Sequence, residues 1–134
     1  MISHLLDTSV YSQRLKKRPN KRVVRRWASI GDNHLAISTI CEAELLFGLE
    51  KKGSERLWCE YEEFLKNKLV VLPLDRKAIE TYAKLKTGLS SEGLSVADMD
   101  LLIGATALAN NLRLATLNYR HFEKIPNLQV EDWS

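Results

Sequence analysis

One carboxylate inside a long apolar run constrains this chain more than any other feature. From Ser95 to Asn118 the sequence reads SVADMDLLIGATALANNLRLATLN. Met99, Leu101, Leu102, Ile103, Ala105, Ala107, Leu108 and Ala109 leave almost no polar face. The stretch therefore predicts a helix inside the domain, then a short strand ending in Thr116 and Asn118. Asp100 sits in that helix, where a charge is costly unless it is paired or binds a cation. No Lys or Arg lies between Lys86 and Arg113, so the helix offers no ion-pair partner of its own. Two more carboxylates, Asp7 and Glu44, stand in similar settings.

A length of 134 residues suits a single domain, 1–134, with one core. No apolar run approaches the roughly 20 residues of a membrane span. The opening MISHLLDTSV lacks the basic and apolar regions of a signal peptide. Cys41 and Cys59 form no disulfide framework or zinc pattern, as expected of thiols in a reducing cytoplasm. His4, His34 and His121 show no ligand spacing. Charge is uneven. Eight of the 20 basic residues fall between Arg14 and Arg26 with no acid among them, leaving 12 against 17 acidic residues elsewhere. Such a patch fits a phosphate backbone, a solvated face or an acidic partner.

Taken in order, Ile2 to Leu6 predicts a buried strand ending at Asp7. Asp7 either caps the next helix or points into the crevice beyond the strand ends. A short helix over Val10–Arg14 breaks by Pro19, and Asn20 caps a second that stops at Gly31. His34–Ser38 is the second strand. Thr39 and Glu42 match a capping box, giving Glu42 a structural task that Glu44 lacks. Ser54 and Asp75 cap further helices around a third strand, Leu69–Leu74. Gly88–Gly93 reads as a polar loop. Ser95 and Asp98 repeat the capping box, leaving Asp100, like Glu44, without a local role. Gly48 and Gly104 each follow their carboxylate by one turn and allow a facing helix or a substrate to come close. Arg113–Leu117 is the fourth strand, with Thr116 and Asn118 on one side by alternation. Leu128–Val130 adds an edge strand. Strands alternating with helices imply an α/β fold, a parallel sheet covered on both faces.

In such a sheet Asp7, Glu44, Asp100 and Asn118 can gather along one edge. Hard oxygen donors of this kind suit Mg²⁺ or Mn²⁺ rather than zinc. A site of that composition stabilises phosphoryl displacement.

Four segments carry a resemblance across nearly the whole chain: LLDTS at 5–9, ISTICEAELLFG at 37–48, SVADMDLLIGATALANNLRLATLN at 95–118 and HFEKIPNLQVEDW at 121–133. Together they resemble PIN-domain proteins, and within them the VapC-type toxin ribonucleases of bacterial toxin–antitoxin pairs. The resemblance implies a three-layer α/β/α fold with a parallel sheet of about five strands, and a Mg²⁺-dependent endoribonuclease that forms a homodimer. It also implies a small cognate antitoxin as partner, with DNA contacted only through the antitoxin complex, and RNA as substrate. The tail resembles members that cut initiator tRNA in its anticodon stem–loop. Carried over by position, Asp7, Glu44 and Asp100 are the catalytic and metal-binding acids. Asn118 fills a fourth place that is Asp or Asn among members; its neutral amide weakens the case for a second metal, and Asp98 is the other candidate there. Ser9 and Thr116 become supporting or phosphate-contacting hydroxyls. Lys16, Lys17, Arg18, Lys21 and Arg22 hold the RNA backbone. The competing reading is a non-catalytic PIN-like partner in a DNA-binding regulatory complex.

Overall fold

A computed structural model describes residues 1–134. Five short strands form one sheet: β1 His4–Leu6, β2 Leu35–Ser38, β3 Val70–Leu72, β4 Arg113–Thr116 and β5 Val130–Asp132. Their order is β3-β2-β1-β4-β5, and every neighbouring pair is parallel. Parallel pairing demands crossovers, and helices supply them: α1 Thr8–Tyr11, α2 Lys21–Ile30, α3 Thr39–Lys52, α4 Glu55–Phe64, α5 Arg76–Ser91, α6 Asp98–Ala109 and α7 Tyr119–Phe122. No helix is long and apolar enough to cross a membrane.

Period-two alternation divides the interior into two cores. Leu6, Leu35, Ile37 and Ala115 face one side, where they pack with Trp27 of α2, Leu45 and Leu49 of α3, and Tyr61 of α4. Leu5, Ala36 and Leu114 face the other, against Leu89 of α5, Leu101, Ile103 and Ala107 of α6, and Phe122 of α7. The expected three layers follow directly, because the strands are apolar on both faces.

Local signals hold at most helix starts. Asn20 accepts hydrogen bonds from the Arg22 and Val23 amides, Ser54 from Leu57 and Asp75 from Ala78. Gly31 ends α2 with φ at 90°, a conformation that glycine alone adopts cheaply.

Three expectations are corrected. The cap of α3 is Ser38, accepting from the Cys41 amide at 3.0 Å, so Glu42 lies one residue beyond the capping box. Ala97 precedes α6 with no side-chain cap, so Ser95 and Asp98 form no box either. The expected loop at Gly88–Gly93 is helix through Ser91, because Leu89 is buried in the core beneath α5 and packing overrides the low propensity of Gly88.

The Ser38 geometry gives a test. Ser38→Ala should cost about 1 kcal/mol in urea unfolding, whereas Glu42→Ala should stay within roughly 0.5 kcal/mol. Equal losses would place the cap elsewhere.

Candidate active site

Strand order reverses beside β1: β2 lies on one side and β4 on the other. In open parallel sheets that crevice, at the carboxyl ends of the strands, is where ligands bind. Asp7 follows β1 there, and its amide donates to the Ala115 carbonyl of β4 at 3.0 Å.

Both readings of Asp7 hold at once. Its Oδ1 caps α1 by accepting from the Val10 amide at 3.1 Å. The same oxygen accepts from Ser9 Oγ at 2.6 Å, and Oδ2 accepts from Thr116 Oγ1 at 2.6 Å. Ser9 and Thr116 thus direct their hydroxyl hydrogens at Asp7. Each also accepts a backbone N–H from the segment after β4, Ser9 from Leu117 and Thr116 from Asn118. These bonds stitch β1 to β4 across the crevice. The Asp7 carboxylate is 3% exposed. Burial raises its pKa above the ordinary value against the pull of three hydrogen bonds, and the nearby Asp100 charge adds to the rise.

Asp100 lies in the first turn of α6, where the helix dipole favours an anion. Its pKa is raised too, by burial first, with the Glu44 charge adding to it and His121 working against it. Its partner is His121, whose Nδ1 lies 3.3 Å from Oδ2. Glu44 projects from α3, half-buried, and its Oε1 accepts from Thr8 Oγ1 at 2.6 Å. So Asp100 is near enough to Asp7 to raise it, and Glu44 near enough to Asp100 to do the same there. As the side chains stand, no three Asp, Glu, His or Cys residues converge closely enough to grip an ion.

The two glycines part company. A Cβ on Gly104 would lie 2.7 Å from Ile125 Cδ1, so this glycine serves close packing against the chain after α7. A Cβ on Gly48 would meet nothing within 4 Å, and Gly48 lines an open groove with Thr8, Lys16 and Glu44.

Other expected residues are placed differently. Asp98 is exposed and turns to α5, accepting from Tyr82 Oη at 2.9 Å and Lys86 Nζ at 2.8 Å, which draws it away from a metal role. Strand β4 stops at Thr116, so alternation does not reach Asn118, whose backbone N–H bonds Thr116 while its exposed side-chain amide makes no hydrogen bond. The basic segment is partly structural. Arg14 bonds Asp32 and lies over the Trp27 ring, Arg26 pairs with Glu131, and Arg22 donates to the Ser134 carbonyl at 3.1 Å. Lys16, Lys17, Arg18 and Lys21 are left exposed or on the rim without ion pairs. His121 is the residue that sequence reasoning missed. Its one signal was its place at the head of the tail motif.

Residues 4–128 match the PIN domain family. The chain is 34% identical over 131 residues to a protein named ribonuclease VapC2 from Rickettsia felis, covering 97% of each. It is 31% identical over 134 residues to one named tRNA(fMet)-specific endonuclease VapC from Salmonella typhimurium, covering 99% of each. The solved VapBC2 of Rickettsia felis, bound to a DNA fragment from its promoter, superposes with a TM-score of 0.88 at 33% identity over the whole of both chains. With a family match and full-length relatives agreeing with the switch-point geometry, the chain belongs to the PIN-domain family, in its VapC branch.

Proposed function

We propose that this chain, a single PIN domain, is a Mg²⁺-dependent endoribonuclease acting as the toxin of a VapBC-type toxin–antitoxin pair. The observation that carries the reading is the nearness of Asp100 to both Asp7 and Glu44 beside the switch point, with no Lys or Arg bonded to any of the three. Fully oxygen-based donors, of which Asp7 and Asp100 have pKa values raised by burial, fit a hard divalent cation, Mg²⁺ or Mn²⁺. Asp7 and Asp100 would hold it, with Glu44 either joining them or orienting the attacking water. When bound, the ion supplies positive charge against the phosphodiester and lowers the pKa of water.

The remaining chemistry belongs to the chain. Ser9 and Thr116 fix both oxygens of Asp7, and such supporting bonds are worth roughly 10–100-fold in activity or metal affinity. Thr8 holds Glu44 in the same way. Lys16 lies in the groove that contains Glu44, placing a free ammonium where an RNA backbone would run.

The relative named for tRNA(fMet) supports initiator tRNA as the substrate; a cut in its anticodon loop, in the cytoplasm, is what the family resemblance implies. The relative solved as a VapBC complex on promoter DNA supports a cognate antitoxin as partner, with DNA reached through that complex; a homodimeric toxin is what the family resemblance implies. A complex on promoter DNA is also what the second reading, a non-catalytic member of a DNA-binding regulatory complex, would form. The two readings separate in one assay. Purified protein with Mg²⁺ should cleave tRNA(fMet), EDTA should stop it, and added Mg²⁺ should restore it. A folded protein with no Mg²⁺-dependent cleavage of any RNA would leave the regulatory reading standing.

A further inference from the structure

The chain after β4 brings a second set of charges to Asp100. A pocket of about 250 Å³ is lined by Asp100, Arg120, His121 and Lys124, with Ser95 and Ala97 on its far wall. Arg120 and Lys124 are exposed, and neither takes part in an ion pair. Arg120 lies on α7 and Lys124 on the turn that follows it, and both line the same pocket, where like charges repel. The turn itself is held firmly. Phe122 and Ile125, between and beside them, are 1% and 3% exposed in the core. A repelling pair of cations on a rigid turn, opening beside the candidate catalytic acids, is a place for an anion.

We infer that Arg120, His121 and Lys124 form a phosphate-binding subsite that takes a phosphodiester of the RNA next to the one being cut. The inference rests on the ribonuclease reading and deepens it. The subsite lies on the β4–α7 side of Asp100, whereas the Lys16 groove lies on the α3 side with Glu44. An RNA strand crossing the acids would therefore be held by its backbone on both sides. Contacts of this kind position a nucleic acid without reading its sequence.

The test separates binding from cleavage. A fluorescent single-stranded oligoribonucleotide is titrated in EDTA, with anisotropy read across a salt series, against the unmutated chain and Arg120→Ala/Lys124→Ala. The variant should bind about tenfold more weakly. Its salt dependence should be shallower by about 0.7 in log–log slope, the loss of one phosphate contact on a single strand. Arg120→Lys/Lys124→Arg should recover most of the affinity. Unchanged affinity in a variant with an unchanged melting curve overturns the proposal. So does weaker binding with an unaltered slope, because the contact would then not be ionic. Competition by an acidic peptide as effective as the RNA assigns the rim to a protein and overturns it too. Mg²⁺-dependent cleavage by the unmutated chain is read in parallel. Its absence sinks the ribonuclease reading, while the EDTA titration reports on the subsite alone.

Discussion

Asp7→Asn is expected to reduce RNA cleavage on the order of a thousandfold, equal to about 4 kcal/mol of transition-state stabilisation, without lowering the melting temperature of the metal-free protein. The two halves have separate causes. Losing the charge removes a principal oxygen donor for the cation. The fold keeps its bonds, since Asn caps a helix as well as Asp does, and its amide can donate to Thr116 where Asp7 accepted. Burial raises the folded pKa of Asp7 above the unfolded value near 4. A carboxyl raised in this way binds its proton more tightly when folded. Stability is then full below the unfolded pKa and falls as pH rises through the folded one. Asn carries no such cost. In EDTA at neutral pH the variant should melt at or above the unmutated chain, and the gap should close below about pH 4. Mg²⁺ should reverse the order, because only the unmutated chain gains from binding it. A variant that melts well below the unmutated chain at every pH would make Asp7 a purely structural cap.

Glu131→Gln should produce the largest loss of stability in the molecule short of a core truncation, about 2 kcal/mol. One carboxylate here ties four elements. Its Oε1 accepts from His4 Nε2 of β1 at 3.0 Å, Arg26 Nη2 of α2 at 2.7 Å and Trp133 Nε1 at 3.2 Å. Its Oε2 meets Arg113 Nη1 of β4 at 3.2 Å. Burial works against the charge, but hydrogen bonds from Trp133 and His4 and the pull of Arg26 win, and its pKa lies below the usual range. The sign is opposite to that at Asp7. This stability is present above the unfolded pKa and is lost as pH falls through the folded one. Urea unfolding should show a lower midpoint at unchanged slope. The difference between the two proteins should shrink in acid. The exposed pair Arg56–Glu60, by contrast, should be worth under about 0.5 kcal/mol.

What could be read from the residues, and what could not, follows from range. Four strands and the caps at Asn20, Ser54 and Asp75 are local signals that stand about where the sequence puts them, while the edge strand expected at Leu128–Val130 lies two residues on, at Val130–Asp132. At Ser38 and Thr39 two hydroxyls compete for one cap, and only the backbone decides between them. The helical state of Gly88 depends on a core beneath it that no local window contains. Glu44 and Asp100 stood out in the sequence because neither had a local role, whereas Asp7 left a cap and a crevice position equally open. His121 was not, because a lone histidine 21 positions from its carboxylate carries no periodic trace. Arg14, Arg22 and Arg26 looked like their free neighbours in a charge run, since a sequence does not say which guanidinium finds Asp32, Ser134 or Glu131.

The absent side chain at position 104 has a reach well past its own helix. Ile125 fills the hollow it leaves, so the turn carrying Arg120 and Lys124 is seated from below, by the apolar interior. Packing from beneath thus adds to the single His121–Asp100 contact in setting the distance between the anion-seeking wall and the cation-seeking one. On the proposed reading, substrate would arrive and product depart between walls whose spacing is set by the core, as the jaws of a fixed gauge are set by their frame.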